Sequence, residues 1–202
     1  MQVAEVIYSS QIYGPGKRTV LWLQGCSIQC DHCWNDELWS FKGGIKKSPA
    51  QMIEAAIQSG DDGFTLLGGE PLDQAPAVAH FIMQVQSAGF DVVLYTGYEL
   101  HELSTPQKKC VQMSDIVIHG RYVHELRSEN LLWRGSTNQE ILINNSKFSG
   151  LDLSEKRQVE IHLNEIGHVK VVGYPTPELL QSIASRNGMM TSLKSTGNGY
   201  EI

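Results

Sequence analysis

Three of the four cysteines, Cys26, Cys30 and Cys33, fall within eight residues in a C-x3-C-x2-C spacing. Such a loop offers three thiolates and no fourth. A [4Fe–4S] cluster has four iron corners, so three cysteines leave one iron open to an exchangeable ligand. A structural zinc ion would instead need a fourth protein ligand, and His32 is the nearest candidate. The spacing favours the cluster and leaves a zinc-stabilised interaction module as the competing reading. Cys110 stands apart and reads as a buried core residue.

A second group with chemical potential is Gly68-Gly69-Glu70-Pro71. Paired glycines let a backbone approach a ligand without Cβ obstruction, and the adjacent carboxylate can pair with an amino group. Pro71 stiffens the turn. Taken alone the run is equally a plain strand-to-helix turn. About forty residues after a three-cysteine loop it gains a further meaning, because an amino-acid head group on an open iron would need such a partner.

These groups must be positioned by surrounding elements. Short β-rich runs at Val3–Tyr8, Thr19–Leu23, Phe64–Leu67, Asp91–Tyr95 and Asp115–His119 alternate with helical patterns. That alternation predicts an α/β fold with a parallel sheet and crossover helices. One helix runs over 50–59, with Ser48 as N-cap, Pro49 in the first turn and Gly60 as stop; another covers 75–88. Glu99–Leu103 and Pro106–Gln112 read as short helical segments, and Glu140–Ile143 as a further strand. The cysteine loop, Gly68–Pro71 and Thr96-Gly97 each follow a strand, so all three are expected on one sheet edge, where βα folds gather binding sites.

The character of the chain changes near Asn144. Residues 144–150 look like a linker, Gln158–Leu163 and His168–Val172 like a hairpin turning at Asn164-Glu165-Ile166-Gly167, Pro177–Ser185 like a short helix, and Ser195–Ile202 like a mobile polar tail. The expected division is a core over 1–144 and an extension over 145–202 packed on it.

The length of 202 residues is enough for a sizeable core, and 41% hydrophobic with 19% charged residues is ordinary for a globular protein. A net charge of −6 weighs against nucleic acid as the main partner. No apolar run approaches a membrane span, and the N-terminal residues do not resemble a signal peptide. Clustered cysteines are then expected to bind metal in a reducing cytoplasm.

The cysteine spacing together with Gly-Gly-Glu-Pro resembles the radical S-adenosylmethionine superfamily. Further segments resemble its glycyl-radical activating enzymes, in particular the anaerobic ribonucleotide reductase activating group. These are Gly14–Thr19, Asn35, Leu66–Leu72, Tyr95–Tyr98 with Glu102-Leu103, Gly120–Tyr122 and Trp133–Gln139. The resemblance implies a partial (βα) barrel of about six parallel strands. It implies a [4Fe–4S] cluster on Cys26, Cys30 and Cys33, with S-adenosylmethionine chelating the open iron and Gly68, Gly69, Glu70 and Pro71 contacting its amino group. His32 is expected against the adenine, Trp34 beside the cluster, and Thr96 and Gly97 near the ribose or carboxylate. Arg18, Arg121 and Arg134 are candidates for carboxylate contacts, Arg134 being preferred for its neighbours Gly135 and Asn138. The implied activity is reductive cleavage to a 5′-deoxyadenosyl radical that takes hydrogen from a partner glycyl-radical enzyme. Flavodoxin or ferredoxin is the implied electron donor. An enzyme acting directly on a small molecule or peptide is the alternative. His119 stands where the family usually has aspartate, and the family's shorter members lack the final segment of about sixty residues.

Overall fold

The computed structural model describes residues 1–128, 130–154, 159–163, 169–173, 175–186, 194–196 and 199–201. The elements in chain order are β1 (Gln2–Ser10), β2 (Arg18–Leu23), β3 (Ile45–Lys46), α1 (Pro49–Ser59), β4 (Gly63–Gly68), α2 (Ala75–Ser87), β5 (Asp91–Thr96), α3 (Thr105–Met113), β6 (Ile116–His119) and β7 (Glu140–Ile143). The extension adds β8 (Val159–Leu163), β9 (Val169–Gly173), α4 (Pro177–Arg186), β10 (Lys194–Thr196) and β11 (Gly199–Glu201).

The main sheet has seven strands in the order β3-β1-β2-β4-β5-β6-β7. It is mixed. Only β2, β4, β5 and β6 run parallel, whereas β1, β3 and β7 pair antiparallel with their neighbours. The expectation of about six parallel strands is therefore corrected. Residues 11–17 are too short for a crossover, so β2 must return alongside β1. Among the described residues no α-helix lies between β6 and β7, and without that crossover β7 also comes back antiparallel.

Alternation along the parallel strands separates two faces. Leu21, Leu66, Leu94 and Val117 turn to one side, where Met52 and Ala56 of α1, Phe81 and Ile82 of α2, and Cys110 and Val111 of α3 bury them. Phe64 meets Phe81 edge-on at 5.4 Å between ring centroids. Each such buried side chain contributes about 1.5–3 kcal/mol. Val20, Trp22, Leu67, Val93, Tyr95 and Ile118 occupy the other face, which no core helix covers; loops and the extension pack there. Arg18 closes the start of that face. It is fully buried, with its guanidinium 2.7 Å from Asp91 Oδ1 and donating to Thr65 Oγ1 and Pro15 O.

Several expected boundaries are revised. Residues 99–103 form a turn closed by Glu102 N donating to Glu99 O, not a helix. The supposed linker is packed: Asn144 Nδ2 donates to Val111 O and Ser114 O, and Phe148 is buried beside Val93 and Ile116. Within the expected mobile tail, Tyr200 and Glu201 of β11 pair with β9. Backbone pairing satisfies N–H and C=O groups whatever the side chains, so a polar segment can still be a strand. The hairpin turn expected at Asn164–Gly167 lies outside the described residues.

The four-stranded sheet β10-β11-β9-β8 is anchored on the core through β8 and β9. Glu160 accepts from Ser10 Oγ (2.7 Å) and Gln11 N (2.6 Å), and Lys170 pairs with Glu5. Val172 is fully buried with Ile12, Trp22 and Leu67. Among the described residues no helix is long and apolar enough to cross a membrane.

Candidate functional site

The ends of β2, β4 and β5 are stitched into one surface. Gly69 N donates to Leu23 O and Glu70 N to Gly25 O, both at 2.8 Å, so the Gly-Gly-Glu-Pro turn grips the backbone that enters the cysteine loop. A methyl group on Gly68 would collide with the backbone of Trp22 and Leu23, and one on Gly69 with the Gly25 carbonyl. The paired glycines thus permit close approach of two chain segments, whereas the sequence pointed to approach of a ligand. Both also line the cavity.

Glu70 is the pivot. It is 1% exposed, and its carboxylate accepts from Leu72 N, Thr96 Oγ1 and Gly97 N, each at 2.8 Å. All three donors are neutral. Burial drives its carboxyl pKa up to about 7 against the pull of those hydrogen bonds. Gly97 has a spatial reason to lack a side chain, since a Cβ there would come within 2.8 Å of Ile28 Cδ1 in the cysteine loop.

The cysteine loop is fixed from the other side by Asp73, which accepts from Ser27 N at 2.7 Å, Ser27 Oγ at 2.9 Å and Tyr98 Oη at 2.9 Å. Backbone at Gln29 and His32 is left-handed (φ 51° and 53°), coiling the loop. Cys26, Cys30 and Cys33 are free thiols that line a single cavity with Trp34, Gly68, Gly69, Glu70, Thr96 and Gly97. Burial raises the thiol pKa of Cys26 and of Cys30. Among the described residues no three His, Cys, Asp or Glu side chains converge as a single ion requires. Zinc would draw its ligands to within about 2.3 Å of one point, whereas a cluster spreads three sulfurs over three irons.

Five residues expected at the ligand do not line the cavity. His32 does not line the cavity; its ring is 63% exposed and packs 4.3 Å from that of His124. The zinc reading thereby loses its fourth ligand. Pro71 is buried beneath the turn, and Arg134 Nη1 donates to Gln139 O instead of reaching the cavity. Arg121 pairs with Glu102 at the surface, and Arg18 is committed to Asp91. His119 is 6% exposed, with Nδ1 4.0 Å from Glu99 and Nε2 3.8 Å from Glu140.

Sequence reading missed Arg127, among the described residues the one arginine lining the cavity, whose guanidinium lies 5.9 Å from the Trp34 ring centroid. It also missed the aromatic wall of Tyr13, Trp39, Tyr95 and Tyr122, and Gly173 from the extension. Gly173 N donates to Tyr13 Oη at 3.1 Å. Tyr13 follows the Ser9–Ser10 end of β1, and nothing in its neighbours marks it as different from a core aromatic.

Three free cysteines line a cavity at the C-terminal edge of the mixed α/β sheet, a donor set that suits an iron–sulfur cluster. Residues 12–142 match the family model described as a 4Fe-4S single cluster domain. The chain is 31% identical over 140 residues to the anaerobic ribonucleoside-triphosphate reductase-activating protein of Escherichia coli K12, covering 64% of this chain and 90% of the relative. The Haemophilus influenzae protein of the same name is 33% identical over the same shares, and that of Enterobacteria phage T4 31% over 145 residues (66% and 88%). The chain belongs to the 4Fe-4S single cluster family and to that of the anaerobic ribonucleoside-triphosphate reductase-activating proteins. The family model ends at residue 142, before the extension.

Proposed function

We propose that this chain is a radical S-adenosylmethionine enzyme that activates a glycyl-radical partner such as anaerobic ribonucleotide reductase. The observation that carries the reading is the meeting, in one cavity, of three cysteines without a fourth ligand and a buried carboxylate held by neutral donors. An open iron corner and an amino group are what those two features fit. Cys26, Cys30 and Cys33 would hold the [4Fe–4S] cluster, and Glu70 would take the ammonium of S-adenosylmethionine. When bound, the cluster and S-adenosylmethionine would supply radical chemistry through one-electron reductive cleavage of a C–S bond.

The protein's own work is orientation and exclusion of water. Thr96 and Gly97 fix the Glu70 carboxylate, Ile28 packs against Gly97, and Trp34, Trp39, Tyr95 and Tyr122 wall the cavity. No side chain is required to move a proton. The test is to mix reconstituted protein, S-adenosylmethionine, dithionite and candidate glycyl-radical enzymes, and to record electron paramagnetic resonance spectra. A glycyl doublet supports the activase role; silence with every such enzyme of the host sinks it.

A second reading, direct action on a small molecule or peptide, is favoured by one observation. Gly173 of the extension lines the cavity, so residues beyond the family match shape the space available to a substrate. Under either reading the electron donor is a reduced flavodoxin or ferredoxin, and the chain works in the cytoplasm as a core over 1–144 with an extension over 145–202.

A further inference from the structure

Residues 41–48, Phe41-Lys42-Gly43-Gly44-Ile45-Lys46-Lys47-Ser48, are exposed without interruption. Phe41 is 58% and Ile45 56% exposed, a high figure for large apolar side chains. Lys42, Lys46 and Lys47 place three positive charges within six residues of a chain of net charge −6. Among the described residues none of the three ammonium groups pairs with a carboxylate. The segment ends in β3, an edge strand whose outer side has no neighbour in the sheet. One lysine would be enough to protect such an edge from aggregation. Three lysines beside two exposed apolar side chains exceed that need.

The back of this ribbon rests on the cysteine loop. A methyl group on Gly25 would collide with the Phe41 ring, Gln24 Nε2 donates to Ser40 O at 2.7 Å, and Cys26 N donates to Trp39 O at 3.1 Å. Trp39 lines the cavity, but no residue from 40 to 48 does. A partner seated on the ribbon would approach Cys26 from outside and leave the cavity free.

We infer that residues 41–47 are the docking surface for a small acidic electron-carrier protein with a flavin or iron–sulfur group near its surface. This rests on the cluster assigned above to Cys26, Cys30 and Cys33. In the step, the carrier loses one electron and the cluster gains it; no bond to the protein forms or breaks. Weak redox encounters use small interfaces steered by complementary charge, which three lysines along a ribbon with two exposed apolar side chains provide. Nucleic acid would demand a longer run of phosphate-neutralising charge on a chain that is acidic overall.

The test compares the native chain with the triple variant Lys42→Glu/Lys46→Glu/Lys47→Glu, both cluster-loaded. Reduction by flavodoxin hydroquinone is followed through the flavin absorbance, and reduction by dithionite serves as reference. The flavodoxin rate at low salt should fall about tenfold or more in the variant and lose its ionic-strength dependence, with the dithionite rate unchanged. An unchanged flavodoxin rate overturns the proposal, as does equal slowing with both reductants. A second readout needs no cluster: oxidised flavodoxin titrated into the 15N-labelled chain should shift the amides of 41–47. Shifts elsewhere, or binding of duplex DNA or anionic vesicles to this ribbon with no flavodoxin contact, overturn it. A native protein that accepts electrons from flavodoxin yet forms no 5′-deoxyadenosine would defeat the S-adenosylmethionine reading and leave the docking surface standing.

Discussion

The Thr96 hydroxyl donates to Glu70 Oε1 at 2.8 Å across 26 residues of sequence, tying the end of β5 to the turn after β4. With Gly97 N on Oε2 and Leu72 N on Oε1, every donor around this carboxylate is aimed at an acceptor. A Glu70→Gln variant puts an NH2 group where one donor now points, whichever way the amide is turned. A buried donor left unsatisfied costs about 1–3 kcal/mol. Urea unfolding at pH 4.5, where the folded native carboxyl is as neutral as the amide, should therefore show a loss of that size, and an unchanged midpoint would mean the three hydrogen bonds are not made.

The same carboxylate sets a pH dependence. Its pKa rises from 4.5 to about 7 on folding, chiefly because burial penalises the charge. Between those values the folded state keeps a proton that the unfolded chain has lost, so stability falls as pH rises. The contribution is complete below pH 4.5 and gone once pH has passed through 7, amounting to about 3 kcal/mol. Unfolding free energies measured from pH 4.5 to 8 should show this descent in the native chain relative to Glu70→Gln. Parallel curves for the two proteins would refute it.

Much of this site was legible because three signals coincided: residue types able to bind, tight spacing, and a preceding strand. Cys26–Cys33, Gly68–Pro71 and Thr96-Gly97 carried all three. Arg127 carried none, since it sits in an aperiodic loop and reaches Trp34 only through the fold. Arg134 was preferred for its neighbours Gly135 and Asn138; Gly135 does line the cavity, but Arg134 turns to the Gln139 carbonyl. Strand direction was less legible than strand position. It depends on whether a connection can cross the sheet, and among the described residues the β1–β2 and β6–β7 connections contain no α-helix to do so.

The metal assignment has its own outcome. Anaerobically reconstituted protein should be brown, and Cys26→Ser, Cys30→Ser and Cys33→Ser should each lose most bound iron and the broad visible absorbance. Cys110→Ser should keep both. Its thiol is fully buried, donates to Ala75 O at 3.2 Å, and has its pKa pushed up to about 11. Iron lost equally in all four variants would break the assignment.

The extension shares its core with the main sheet, so the two should not unfold separately. Val172→Ala removes packing against Ile12, Trp22 and Leu67 and should cost about 1–3 kcal/mol in a single transition. Acrylamide quenching of tryptophan should also rise, because Trp22 lies in that seam. A separate early transition that leaves tryptophan accessibility unchanged would show that the extension is only loosely attached.

The strictest steric demand in the site falls on Gly69. An alanine methyl group there meets the Gly25 carbonyl, which already accepts from Glu70 N at 2.8 Å. The obstacle is backbone and cannot swing aside, so relief must come from moving the strand end of β4 or the start of the cysteine loop. Overpacking of this kind costs about 1–3 kcal/mol. Because the loop that moves carries Cys26, iron retention should fall together with stability. Gly150→Ala is the matched control: a Cβ there meets nothing within 4 Å, and stability should hold or rise by about 0.4–1 kcal/mol. Iron content and urea midpoint measured on both variants distinguish a steric lock on the cysteine loop from a general intolerance of alanine. Gly69→Ala holding its full iron complement would show that the lock is not needed.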